Sequence, residues 1–122
     1  MQFIEEKQIV SFKTYEKPNN VIVVDCPNRL DANVSDDLKK IMMDLINEKK
    51  FKVVINLSDT KYVDSSGLGA IVSRISATRS NKGDVRLVTK TKSILDLLDI
   101  TRLNKILKCY HDVKAAEDSF NR

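Results

Sequence analysis

A chain of 122 residues is long enough to bury one hydrophobic core without disulfides or a structural metal. Its 42% hydrophobic and 31% charged residues argue against wholesale disorder, and no apolar run approaches the roughly 20 residues that span a bilayer. The net charge of +4 is mild, with Lys and Arg scattered among Asp and Glu, which speaks against a dedicated nucleic-acid surface.

The start, Met1-Gln2-Phe3-Ile4-Glu5-Glu6, has no basic stretch followed by an apolar one, so no secretory signal is read there and a cytoplasmic address is expected. Cys26 and Cys109 lie far apart without CxxC spacing and are expected to be reduced, structural thiols. His111 is the only histidine, with no second imidazole to join it, so a metal site is not expected, and no cofactor is assigned.

Residues 8–15 alternate roughly between apolar and polar, as a strand with one wet face does. Lys17-Pro18-Asn19-Asn20 is a turn, since Pro fixes φ and Asn tolerates left-handed geometry. Val21-Ile22-Val23-Val24 is continuous and β-branched, predicting a strand buried on both faces that pairs with the first as a hairpin. Pro27-Asn28-Arg29-Leu30-Asp31 is a loop entering a helix in which Val34, Leu38, Ile41, Met42, Leu45 and Ile46 share one face, capped by Asn33 or Ser35. The group Lys49-Lys50-Phe51-Lys52 falls where that helix gives way to a strand, and its cations complement the helix C-terminal dipole.

Residues 51–57 form a third, central strand. The segment Asp64-Ser65-Ser66-Gly67 opens a second helix through Leu68, Ala70, Ile71, Val72 and Ile75, which Gly83 can stop. A strand over 85–88, a helix over 93–98, a strand over 106–110 and a last helix capped by Asp112 complete the order. The expected fold is α/β: one domain over 1–122, with about four helices packed on a mixed, mostly parallel sheet of about five strands.

In such sheets function gathers at loops leaving the carboxyl ends of strands, and the segment 60–67 delivers two hydroxyls to a helix start. A helix N-terminus carries free N–H groups that accept a phosphate, and Gly67 and Gly69 would let another protein surface approach closely. The plainer reading stands beside it: Asp64 or Ser65 is an N-cap, and the glycines only permit tight packing. Gly67-Leu68-Gly69 completes neither a dinucleotide fingerprint nor a P-loop. Ser66 lies in no GxSxG elbow, and only His111 could act as its base. No catalytic residue is therefore assigned.

The string from Val53 to Gly69, with Asp64-Ser65-Ser66-Gly67-Leu68-Gly69 as its specific part, resembles the signature of the STAS domain of bacterial anti-sigma factor antagonists. The likeness extends to Arg29-Leu30-Asp31 (the family's G-R-L-D loop), to Leu87-Val88 with the helix through Ile94 and Leu98, and to Ala115-Ala116. Asn28 stands where the family usually has Gly, and Asn56 replaces a common Asp. The resemblance implies a protein-binding switch and no enzyme: Ser66 the phosphoacceptor, Asp64 the carboxylate shaping the site, and Ser65, Gly67, Gly69 and Asp31 on one partner-binding surface.

The implied partners are an anti-sigma factor that is a serine kinase, bound by the unmodified form so that a sigma factor is freed, and a phosphatase that resets Ser66. Neither nucleic acid nor membrane is expected as a direct partner. Within the same family, a scaffold or stress-complex subunit and a regulator of a transport system are the alternative roles.

Overall fold

The computed structural model describes residues 11–121. A five-stranded sheet runs in the order β1-β2-β4-β6-β7, from β1 (Lys13–Lys17), β2 (Val21–Asp25), β4 (Lys52–Asn56), β6 (Asp84–Val88) and β7 (Cys109–Tyr110). β1 is antiparallel to β2 and every other pairing is parallel, with β4 in the middle as its β-branched run requires. A separate pair of two-residue strands, β3 (Arg29–Leu30) and β5 (Tyr62–Val63), is also parallel.

Period-two alternation sorts the strand side chains onto two faces. On one face Ile22, Val24, Val53, Ile55, Val85 and Leu87 pack against α1 (Ser35–Asn47), α2 (Ser65–Val72), α3 (Ile75–Ser80) and α4 (Lys92–Ile100) through Leu38, Met42, Leu45, Leu68, Ile71, Ile75, Ile94 and Leu98. On the other, Val21, Val23, Val54 and Val88 meet α5 (Val113–Ser119) through Ala116, with Tyr15, Tyr110 and Phe120 at the margin. Arg86 secures α5 to this face: its guanidinium lies 4.2 Å from the Phe120 ring centroid and donates to the Ser119 hydroxyl and to Asp84.

The hairpin forms as expected, with Asn19 and Asn20 at φ 69° and 64° in its turn. Of the strand expected over residues 8–15, Lys13 onward is strand and Ser11 and Phe12 precede it, while residues 8–10 lie outside the described residues. Neither Asn33 nor Ser35 caps α1 with its side chain. Asp31 does that work instead: its carbonyl accepts from the N–H groups of Val34 and Ser35, and its carboxylate accepts from Asn33 N–H at 3.0 Å. The expected second helix is interrupted at Ser73–Arg74, where Arg74 leaves helical geometry at φ −125° and ψ 19°.

Lys82, not Gly83, takes the left-handed conformation after α3, at φ 66°. Gly83 is required for a different reason, since a Cβ there would sit 1.9 Å from the Phe51 carbonyl oxygen. The fifth strand shrinks to Cys109–Tyr110. A left-handed Arg102 and a 3-10 turn over Leu103–Lys105 carry the chain past the sheet edge, leaving Ile106 exposed and Leu107 buried.

Both cysteines are free, Cys26 buried and Cys109 half-buried. Burial pushes both thiols up, Cys26 further than Cys109 and with a smaller contribution from the Asp25 carboxylate. A raised pKa means less thiolate at neutral pH, so native protein should react slowly with iodoacetamide at Cys109 and at Cys26 only after unfolding. Peptide mapping of labelled native and urea-unfolded protein checks this.

Candidate functional site at the start of the second helix

Sequence chemistry left open whether Asp64 or Ser65 starts α2, and the geometry settles it. Asp64 is extended at φ −106°, and its carboxylate accepts from the Gly67 N–H at 3.0 Å, while its carbonyl accepts from Leu68 N–H. Ser65 and Ser66 follow at the first two helical positions, one exposed and the other half-buried. Neither hydroxyl has a hydrogen-bond partner among the described residues. The first N–H groups of a helix have no partner within it, so both hydroxyls stand beside free donors and a partial positive charge.

The loops after β2 and β4 are fused by the β3–β5 pair, which sequence reading took as loop. Two-residue strands are too short to show a period, and only their pairing reveals them. Asp64 N–H donates to the Leu30 carbonyl at 3.2 Å, Lys61 N–H to that of Asn28 at 2.8 Å, and the buried Thr60 hydroxyl to that of Pro27 at 2.8 Å. Leu30 pairs with Val63, so Asp31 and Asp64 leave the pair side by side. Asn28 has no positive φ, so the loop does not demand the glycine usual there. Asn56 donates to the Asp25 carboxylate at 2.8 Å and accepts from Ser58, a combination an ionised Asp could not make.

The two glycines differ. Gly67 is buried, and a Cβ on it would lie 2.3 Å from the Leu30 carbonyl oxygen and 3.0 Å from the Leu30 Cγ. Gly69 is exposed, with nothing within 4 Å of its would-be Cβ. The structure thus brings Asp31, Asp64, Ser65, Ser66 and Gly67 together at one end of the sheet, with Gly69 one helical turn further on. Two residues outside the sequence expectations join them: the Arg29 guanidinium stacks 4.2 Å from the Tyr62 ring centroid, both side chains exposed. An aromatic four residues before Ser66 and an Arg two before Asp31 were the visible signals, but the stack needs the β3–β5 register.

An open groove of about 600 Å³ lies elsewhere, between α4 and β7, lined by Leu95, Leu98, Leu107, Cys109 and Tyr110 among others and by none of the predicted site residues. Among the described residues no group of three His, Cys, Asp or Glu could hold a metal ion, and no helix is long and apolar enough to cross a membrane.

The STAS domain family matches residues 12–116 of the chain. The chain belongs to the STAS domain family. An anti-sigma F factor antagonist from Paenibacillus polymyxa is 28% identical over 96 residues, covering 78% of this chain and 82% of that one. The crystal structure of a Thermotoga maritima protein superposes with a TM-score of 0.84 at 26% identity, over 96% of this chain and 99% of the other.

The STAS fold is shared also with SpoIIAA, an anti-sigma factor antagonist, in its unphosphorylated form (TM-score 0.70, 14% identity, 91% of this chain and 96% of that one). Its phosphorylated form matches equally (TM-score 0.70, 15% identity, 88% and 98%). In this STAS domain, losing the Asp64 cap should cost about 1 kcal/mol. Asp64→Ala should therefore unfold at lower urea concentration with an unchanged slope, as followed by circular dichroism.

Proposed function

We propose that this protein is an anti-sigma factor antagonist whose unmodified form binds an anti-sigma factor with serine-kinase activity, and that phosphorylation of Ser66 breaks that binding. The observation that carries the reading is the division of labour at the start of α2. Asp64 alone supplies the cap, so the fold makes no use of the Ser66 hydroxyl, which is half-buried and unpartnered among the described residues. A hydroxyl with no structural duty, beside free backbone donors and in the loop cluster at the carboxyl ends of the central strands, suits a reversible modification. The names of relatives, among them anti-sigma F and anti-sigma-B factor antagonists, support the antagonist role.

Phosphorylation adds about −1.5 to −2 charges beside Asp64 and Asp31. The helix N-terminus tolerates them, so the effect falls on the partner interface and the domain stays folded. On this reading the whole chain is one STAS domain acting in the cytoplasm by binding, without catalysis of its own. Ser65, Ser66, Gly69, Asp31 and Asp64 form the contact surface, Gly67 holds it in shape, and a phosphatase restores the binding form.

Incubation of the purified protein with extract of its source cells and ATP, followed by peptide mass spectrometry, tests the reading. Phosphate on Ser66 is the expected result. A chain that stays unmodified there, or is modified on Ser65 alone, would overturn it and favour a scaffolding or transport-regulating role.

A further inference from the structure

The β3–β5 pair arranges charge around Ser66 in a way that the switch itself does not require. Leu30 and Val63 are buried, so alternation turns Arg29, Asp31, Tyr62 and Asp64 to the opposite, solvent-facing side. On that side Arg29 is the single cation among these four residues. It stacks on Tyr62 and gives its Nε–H to Asp31 at 3.3 Å, an exposed pair of the kind that contributes little. Its two terminal Nη groups have no acceptor among the described residues, so the part of the guanidinium suited to a forked contact points to nothing.

Register gives the reach. Arg29 lies opposite Tyr62, and Asp31 aligns with Asp64, which makes Arg29 and Asp64 diagonal neighbours across the parallel pair. Ser66 follows two residues beyond Asp64 in the first turn of α2, so Arg29 would have to swing off Asp31 to meet a phosphate there.

We infer that Arg29 is the intramolecular counter-ion of phosphorylated Ser66, exchanging its exposed pair with Asp31 for a forked contact to the phosphate. A dianion set between the Asp31 and Asp64 carboxylates has two like charges against it, and Arg29 is the group on that face that offsets them. The exchange also leaves Asp31 unpaired, so modification of one residue rewrites the charge of the neighbouring loop.

The inference rests on Ser66 as the modified residue, and its test is independent of any kinase or partner. Phosphoserine is installed at position 66 by co-translational incorporation, and the second phosphate ionisation is followed by phosphorus NMR. A nearby cation favours the dianion, so the wild-type midpoint should lie about half a unit or more below that of Arg29→Ala. Arg29→Lys should recover part of the shift as a point charge without the fork. Lys61→Ala, which removes a neighbouring exposed cation on the approach to β5, should leave the midpoint unchanged. Coincident midpoints for wild type and Arg29→Ala, or a shift produced by Lys61→Ala instead, would overturn the assignment. Either result leaves the role of Ser66 in partner binding to be judged by the kinase assay above.

Discussion

Ser66→Asp should lose binding to the anti-sigma factor by more than a hundredfold, while Ser66→Ala binds as wild type. The asymmetry follows from what each side chain asks of the interface. Ala removes a hydroxyl that no described residue uses, so neither the fold nor a closely fitting partner suffers. Asp places a charge beside Asp64 and Asp31 on a surface that must shed its water on docking, and an unpaired charge in such a place costs about 3–5 kcal/mol. About 3 kcal/mol is already more than two decades in Kd. Side-by-side affinity capture on immobilised wild type, Ser66→Ala and Ser66→Asp, with binding quantified by titration calorimetry once the captured kinase is purified, reads the difference. A folded Ser66→Ala protein that no longer binds would show that the hydroxyl itself is the contact.

Gly67→Ala and Gly69→Ala should move stability in opposite directions. At Gly67 the added methyl meets the Leu30 carbonyl oxygen at 2.3 Å, a backbone atom held in place by its own bond from Asp64 N–H. Either α2 backs away from β3 or the β3–β5 pair separates, and overpacking of this kind costs about 3 kcal/mol. At Gly69 the methyl enters open space, and replacing a helical glycine by alanine stabilises by about 0.5–1 kcal/mol. Urea unfolding of both variants measures the two signs. Gly69→Ala should nevertheless weaken capture of the anti-sigma factor, because the fold has no need of its bareness. A Gly69→Ala variant that is more stable and binds undiminished would remove Gly69 from the contact surface.

Much of this architecture is visible in the sequence. The β-branched runs at Val21–Val24 and Val53–Ile55 show the central strands, the spacing of Leu38, Met42 and Leu45 shows α1, and Asp112 caps α5 as its position suggests, accepting from Ala115 N–H at 2.8 Å. What stayed hidden depends on partners distant in sequence. The pairing of Arg29–Leu30 with Tyr62–Val63 leaves no periodic trace, and the use of Asp31 to start α1 looks from sequence like a loop residue near two better caps. The reach of Gly83 to Phe51 likewise joins residues that only the sheet brings together. At the site, local chemistry offered two capping candidates and two hydroxyls. The bond from Gly67 N–H to Asp64 separates them, whereas preference for the second serine came from family likeness alone.

The β3–β5 strap has a thermodynamic consequence for recognition. Surface loops that carry binding residues usually lose conformational freedom when a partner settles on them, and that loss is subtracted from the affinity. Here four backbone or hydroxyl bonds between residues 27–30 and 60–64 already hold both loops in one arrangement. The partner therefore meets a preordered surface, and association should carry the heat-capacity change of the area it covers with little added from loop ordering. Affinity can then rest on a small patch, which makes it sensitive to a single added phosphate.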